Sequence, residues 1–432
     1  MLGDIAGTLA AYVRARRVER LRERAALERL QSKWLARHLG WITAHSAYYR
    51  AYQGQSLADF PVIDKREWLM HFDTINTVGA HRDTIERLAL EAERSRDFSA
   101  NWRGTTYGLS SGTSGRRGLF LASGRERATW AGTLLAKIFG MRFLEGARIA
   151  LIIRAGSGLY DSVNVLRIRF KYIDPFQPWD NVRKQLLHFR PTLLVAPAQI
   201  LSRLALHPDG LCPGRIISIA EVLDDFDRQR IEAGFGVRVE QIYQATEGFL
   251  GTSCEHGTVH LNEPFLYVER EWQDAAHTRF IPILTDLWRR SQPVIRFRLD
   301  DVLQIRQTAC PCGRTSTALA AIEGRQDDLL YVASPSGRIP VFSDLISRVV
   351  LRSIDSLEDF EIVAQSEDLW TIRLAPLPPP NEQQRLVSHL RALIIGLKAR
   401  PPALRIETLM TAALPTGKRR RVRGAARPSC ES

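Results

Sequence analysis

The chain has 432 residues, 45% of them hydrophobic, and 60 Lys and Arg against 47 Asp and Glu give it a formal charge of +13. That apolar content suffices for one large domain plus a small one. No apolar run approaches the ~20 residues that cross a bilayer, Asp4 precedes any basic residue where a secretory leader would be basic, and five cysteines in so long a chain do not make a disulfide framework, so the composition reads as soluble and cytoplasmic.

The first hundred residues form a helical segment. Arg14, Arg16, Arg17, Arg20, Arg22, Arg24 and Arg29 alternate there with Glu19, Glu23 and Glu28. Leu27, Leu30 and Trp34 recur at helical spacing, which predicts an amphipathic helix docked by its apolar stripe. A second basic cluster, Lys418, Arg419, Arg420, Arg421, Arg423 and Arg427, closes the chain. So basic a chain is a candidate for polyanion binding. No nucleic-acid module accompanies either cluster, and the charges are read as solvated faces and phosphate chemistry.

Residues 107–119 read YGLSSGTSGRRGL. Gly112, Gly115 and Gly118 let backbone N–H groups converge on an anion. Ser110, Ser111, Thr113 and Ser114 add hydroxyl donors, and Arg116 and Arg117 add charge. No lysine follows Gly118, so this is not a Walker A loop. A triphosphate-binding loop and a solvated Ser/Gly hairpin turn are both open readings.

Further along, apolar runs at 148–153, 192–196 and 214–219 have the composition of buried strands, and helical stretches at 182–189 and 225–233 separate or follow them, the signature of an α/β body over 101–326. Beyond it, 360–364 and 370–374 alternate as strands and a helix spans 382–397, which predicts a compact α+β domain over 327–432. The short proline-rich break before that helix is no flexible linker.

Several motifs punctuate this frame. Phe60-Pro61-Val62-Ile63-Asp64-Lys65 comes first, followed by the 107–119 loop. Ser218-Ile219-Ala220-Glu221 precedes a helix, and Gln241-Ile242-Tyr243-Gln244-Ala245-Thr246-Glu247-Gly248 is β-rich until its Thr-Glu-Gly turn. Thr285-Asp286-Leu287, the stretch from Pro293 to Asp301, Gly324-Arg325-Gln326-Asp327-Asp328 and Pro415-Thr416-Gly417-Lys418 complete the series. In this order the motifs resemble those of the adenylate-forming superfamily of acyl- and aryl-CoA ligases, and most of all its branch with phenylacetate-CoA ligase and the enzymes that adenylylate a deazaflavin coenzyme.

The resemblance implies an α/β fold: a large multi-sheet N-terminal adenylation domain over 1–326 and a small mobile α+β lid. It implies a ligase that binds ATP and Mg²⁺, joins a carboxylic acid, aryl or acyl, to AMP with release of pyrophosphate, and passes the acyl group to a thiol of CoA or a carrier protein. Ser110, Ser111, Gly112, Thr113, Ser114 and Gly115 would hold the β- and γ-phosphates, Glu247 the Mg²⁺, and Thr246 would lie beside the α-phosphate. Glu221 and Tyr243 would form the adenine slot. Asp301 would take the ribose hydroxyls, with Leu299-Asp300 before it in place of the family's small residues, and Arg325 would contact ribose or phosphate. Lys418 would be the catalytic cation and Asp327 the hinge. Each has a plain alternative: a helix N-terminus for Thr246 and Glu247, a packed core aromatic for Tyr243, a solvated tail for Lys418.

Cys254, His256 and His260 precede a Cys310-Pro311-Cys312-Gly313 knuckle. Thiolates and an imidazole suit a structural Zn²⁺, and the likeness to members of the same branch points to Cys254, His260, Cys310 and Cys312. Buried free thiols are the alternative. Two other functions stay open: adenylyl transfer to a hydroxyl or amine, and a catalytically silent basic nucleotide- or nucleic-acid-binding protein of the same fold.

Overall fold

The computed structural model describes residues 2–110, 117–140, 146–153, 168–325, 329–335, 337–410 and 421–424. It divides into two compact units: Met1–Glu221, Ile231–Leu299 and Leu303–Ala321 form the first; Val222–Arg230, Asp300–Val302 and Ile322–Ser432 form the second.

The first unit is built on a seven-stranded sheet in the order Ile168–Ile173, Ala147–Ile152, Leu193–Ala196, Arg215–Ile219, Val239–Ala245, Gly248–Ser253, Val259–Leu261. The first five strands pair in parallel, and the last two join antiparallel. Leu193–Ala196 is buried along its whole length, as expected of a central parallel strand covered on both faces. The three apolar runs read from the sequence are thus neighbouring strands of one sheet. Helices Trp179–Phe189 and Asp225–Phe235 fall where helical stretches were predicted.

The segment Leu2–Glu19 and Arg24–His45 is helical, but the buried stripe of the second helix is not the simple apolar one expected. It combines Leu27, Leu39 and Ile42 with the polar Gln31 and His38. Gln31 earns its burial by donating to the carbonyls of Glu263 and Leu266 at 2.7 and 2.9 Å, which satisfies an amide that would otherwise be costly to bury. The helix Gly124–Ile138 starts at a Ser123/Glu126 capping box. A five-stranded sheet contains Leu266–Trp272, Arg279–Asp286, Asp301–Ile305 and Leu319–Arg325 in that order, with Phe297–Arg298 paired to Arg279–Asp286.

In the second unit, a four-stranded sheet runs Ala403–Thr408, Leu369–Ala375, Asp359–Ser366, Val422–Arg423. Ile346 and Val350 of helix Ser343–Ser353 and Leu386, Leu390 and Ile394 of helix Pro380–Gly396 bury their side chains with Ile362, Trp370 and Ile372 of that sheet. This is the α+β arrangement that the sequence predicts for the tail. The terminal basic cluster is not simply solvated. Arg421 is 8% exposed and donates to Asp227 at 2.6 and 2.8 Å and to Asp224.

Candidate functional site

The 107–119 loop is held at its neck by a hairpin. Thr106–Leu109 and Leu119–Ala122 pair antiparallel with Leu109 opposite Leu119. One step further, Ser110 N–H donates to the Gly118 carbonyl at 2.7 Å and Gly118 N–H donates to Ser110 Oγ at 2.6 Å. Ser111, Gly112, Thr113, Ser114 and Gly115 lie outside the described residues. Arg117, expected to add charge to the loop, is instead committed to Glu93, at 2.6 Å through Nη1, and to the Ser110 carbonyl, at 2.8 Å. Its charge is already matched.

Thr246 and Glu247 form the two-residue turn between Val239–Ala245 and Gly248–Ser253, with Ala245 opposite Gly248. This replaces the alternative of a helix N-terminus: the flanking residues extend as strands on both sides. The turn follows a parallel strand at its C-terminal end. Glu221 lies beyond the same end of the neighbouring strand Arg215–Ile219, with Ile219 opposite Ile242. Ligands of open α/β sheets bind at this edge. Ala220, with φ +69°, takes a left-handed conformation rare for alanine directly before Glu221. Glu221 accepts from Gln199 N–H at 3.3 Å.

The hairpin neck and the Thr-Glu turn converge. A Cβ on Gly118 would come within 2.9 Å of Lys65 Cε and 3.1 Å of both Lys65 Nζ and Thr246 Oγ1. Any larger residue there would push the end of the Lys65 side chain aside. Glu247, 4% exposed, accepts from the Thr246 hydroxyl at 2.9 Å, while its other oxygen lies 3.9 Å from Lys65 Nζ. The site therefore holds an ammonium, a carboxylate, a hydroxyl and a glycine backbone side by side. These are the groups needed to balance a polyphosphate and its divalent cation.

Residues to which the sequence assigned no role fix this arrangement. Lys65 begins the helix Lys65–Met70, whose cap Asp64 accepts from Glu67 N–H at 2.9 Å. Ile63 exchanges backbone hydrogen bonds with Arg296 and Arg298 at 3.1 and 2.9 Å, and Trp68 Nε1 donates to the Pro293 carbonyl at 3.0 Å. Two motifs far apart in sequence are thus one structural element. Arg289 donates to the Thr246 carbonyl and to Gln292 Oε1. Gln292 in turn accepts from Leu121 N–H at 2.9 Å and donates to the Leu119 carbonyl at 3.0 Å. Arg289 and Gln292 therefore tie the Thr-Glu turn to the hairpin that carries the loop. Asp286 accepts from Trp288 and Arg289 N–H at 2.8 and 3.0 Å. Burial pushes its carboxyl up to about 6, against the pull of those donors and of the Arg289 guanidinium.

Tyr243 is 8% exposed, so most of its ring is packed. Asp301 and Arg325 belong to the second compact unit, at the start of strand Asp301–Ile305 and the end of Leu319–Arg325. Lys418 and Asp327 lie outside the described residues.

Cys254, His260, Cys310 and Cys312 cluster with all ligand atoms within 4.8 Å of one another; His256 is exposed and takes no part. Cys254 Sγ is 3.6 Å from Cys310 Sγ, and Cys312 Sγ is 3.3 Å from His260 Nε2. Tetrahedral zinc with bonds of about 2.3 Å to sulfur sets sulfurs roughly 3.8 Å apart, so the spacing fits. His260 Nδ1–H donates to the Ser316 carbonyl at 3.0 Å, the outer hydrogen bond that leaves Nε2 for a metal. Burial pushes the Cys312 thiol up to about 12.

No protein-family model matches the chain. Over 204 residues it is 21% identical to the phenylacetate-coenzyme A ligase of Thermus thermophilus, a match that spans 43% of this chain and 43% of that relative. Among solved structures, it resembles 2-hydroxyisobutyryl-CoA ligase in the postadenylation state in complex with 2-HIB-AMP, with a TM-score of 0.63 and 18% identity over 92% of this chain and 88% of the other. It also resembles the GH3.15 acyl acid amido synthetase, with a TM-score of 0.55 and 13% identity over 88% and 87% of the two chains. A third likeness is to the anthranilate CoA ligase AuaEII in complex with anthranoyl-AMP, with a TM-score of 0.53 and 13% identity over 73% and 65%. The chain thus shares the mixed α/β, several-sheet fold of these acid-activating ligases and synthetases, and its sequence is distantly similar to a phenylacetate-coenzyme A ligase over part of its length.

Proposed function

We propose that the protein adenylates a carboxylic acid, aryl or acyl, with ATP and passes the acyl group to a thiol of CoA or a carrier protein. The observation that carries this reading is the meeting of Gly118, Lys65, Thr246 and Glu247 at the base of the hydroxyl-rich loop. A carboxylate becomes an electrophile when one of its oxygens attacks the α-phosphorus of ATP: the P–O bond to pyrophosphate breaks, and the acyl group is left on AMP. The protein must hold two anions together and spread the charge on the phosphates, so positioning and electrostatics supply most of the acceleration. The loop N–H and hydroxyl groups bind the β- and γ-phosphates. Lys65 moves from Glu247 to a phosphate oxygen, and Glu247 is freed to hold Mg²⁺. Bound there, the cation would offset phosphate charge. Glu221 and Tyr243 border the base, Asp301 and Arg325 take the ribose, and Lys418 supplies the second cation as the lid turns about Asp327.

Carboxylate-dependent exchange of labelled pyrophosphate into ATP, screened over aryl, fatty and amino acids, tests this directly. Exchange with at least one acid and its loss in Lys418→Ala are expected. ATP binding without exchange across all classes would leave a silent nucleotide-binding protein. The acceptor is then found by supplying CoA, amines or hydroxyl compounds to the exchange-competent acid.

The cysteine cluster is a structural zinc centre in this reading. Its residues join the Val259–Leu261 end of the seven-stranded sheet to the 310–316 loop, and metal there would act through folding. Plasma emission analysis of protein purified without added zinc should find about one equivalent per chain; less than a tenth of an equivalent removes the centre.

A further inference from the structure

Next to Arg289 in sequence, Arg290 lines a cavity of ≈ 80 Å³ together with Arg37, His38, Arg125, Thr129 and Trp288. A water needs about 10–15 Å³ by such a measure, so the space admits a small oxyanion. It shares no lining residue with the Lys65, Gly118, Thr246 and Glu247 cluster.

The charge here is one-sided. Arg14 lies 4.1 Å over the Trp288 ring and Arg290 lies 4.5 Å over Trp41. Among the described residues, Arg14, Arg37 and Arg125 have no ion pair. The nearby carboxylate, Glu126, is already occupied: its oxygens accept from the backbone N–H groups of Ser123, Arg290 and Ser291 and from the hydroxyls of Ser123 and Ser291. Burial first, and then the charge of Arg125, holds both Arg14 and Arg290 below the ordinary guanidinium value. His38, 2% exposed, is kept neutral by burial and by Arg290, its pKa lowered to about 3. Neither His38 Nε2 nor Trp288 Nε1 has a hydrogen-bond partner. Glu126 offsets part of the charge on Arg290, but one carboxylate among four guanidiniums leaves them repelling one another, and a bound anion relieves that repulsion.

We propose that this cavity is a binding site for a phosphate group, either free or at the end of a larger phosphomonoester. A tetrahedral dianion offers enough oxygens for the guanidiniums of Arg37, Arg125 and Arg290 and the Thr129 hydroxyl together. A carboxylate would bring one negative charge fewer against those three guanidiniums. The indole walls limit competing water.

The test is calorimetric titration of the whole protein with inorganic phosphate, at an ionic strength held constant with chloride. Saturable binding is expected, weakened about tenfold in Arg37→Gln and further in the Arg37→Gln/Arg125→Gln double variant, since each charge-assisted bond removed is worth about a factor of ten. Both side chains are exposed, and circular dichroism checks that the fold is kept. Titration with ribose 5-phosphate separates the sources: tighter binding than inorganic phosphate, lost in the same double variant, identifies a phosphomonoester, and the reverse order identifies free phosphate. Absence of saturation up to about 10 mM phosphate, a range that detects even weak sites, overturns the proposal. So does binding that survives in the double variant and is lost in Lys65→Ala, because the phosphate would then sit at the loop.

Discussion

Lys65 closes a motif quoted from the sequence, Phe60–Lys65, yet only the structure gives it a place in the site. The motif assigned it no role; what marks it is the glycine at 118, whose missing Cβ leaves room for its ammonium. Glu247 and Thr246 were pointed to by the resemblance of the Thr-Glu-Gly break to the family's motif, while the residue pattern alone left a helix N-terminus open. Arg289, Gln292 and Asp286 were not, since their roles are hydrogen bonds to backbone groups more than a hundred residues away or to the turn they brace. If Glu247 holds the cation, Glu247→Gln should lower pyrophosphate exchange by about a hundredfold or more, in the range of a lost electrostatic contact in a transition state, with little change in melting temperature. An unchanged exchange rate would remove its role. Asp286 makes a pH prediction with a definite sign. Its folded value of about 6 lies above the ordinary 3.8, so between about pH 4 and 6 the folded state binds more protons than the unfolded one. Stability contributed by this group therefore falls as pH rises through that window, then levels off, for a total of up to about 3 kcal/mol. Asp286→Asn should flatten this part of the stability profile in urea titrations. A profile unchanged by the substitution would show that the carboxyl is ionised throughout.

Among the elements, the parallel strands were the most legible, because a strand covered on both faces must be apolar without interruption and few other structures need that. The helices of the N-terminal segment were legible as helices but not in what they bury: Gln31 and His38 on the docked face have no apolar signal, and only their tertiary partners explain them. The contact between helices Leu2–Glu19 and Gly124–Ile138 depends on small residues. A Cβ at Gly132 would stand 2.2 Å from the Thr8 carbonyl oxygen and 2.8 Å from Ala11 Cβ. Backbone cannot yield as a side chain can, so Gly132→Val should destabilise the protein by about 1–3 kcal/mol, the usual cost of overpacking. Chemical denaturation reads this, and a neutral result would mean the helices separate freely. In the second unit, Arg421 lies between Asp224 and Asp227 with its guanidinium 4.8 Å from the Phe226 ring centroid. The sequence places it in a run of basic residues, where charge patterning alone suggests solvent; only the strand Val422–Arg423 and its pairing with Asp359–Ser366 bring it to the buried acids. Arg421→Ala should cost about 3 kcal/mol by stranding the buried carboxyl of Asp227 and the half-buried one of Asp224. The triple variant Arg421→Met/Asp224→Asn/Asp227→Asn should recover most of that, and failure to recover would assign the loss to packing.

For the whole molecule, architecture was legible further than chemistry. Composition and the order of motifs suffice for a mixed α/β chain with an α+β tail, because those follow from hydrophobic periodicity. Which acid the proposed reaction would take does not, since a pocket selecting it would be assembled from residues whose inward or outward direction depends on packing across several sheets. The cysteine cluster lies between these extremes: its residue types were visible, and its close grouping needed the fold to bring Cys254 and His260 to the Cys310 knuckle. The measurement that bears most directly on the proposed chemistry is calorimetric titration of the folded protein with ATP in the presence of Mg²⁺, repeated on Lys65→Ala. A triphosphate seat at the hairpin neck requires saturable binding by the native protein and affinity about tenfold weaker or worse in the variant, the worth of one charge-assisted contact. No binding of ATP by a well-folded preparation, or equal affinity in both proteins, would contradict it.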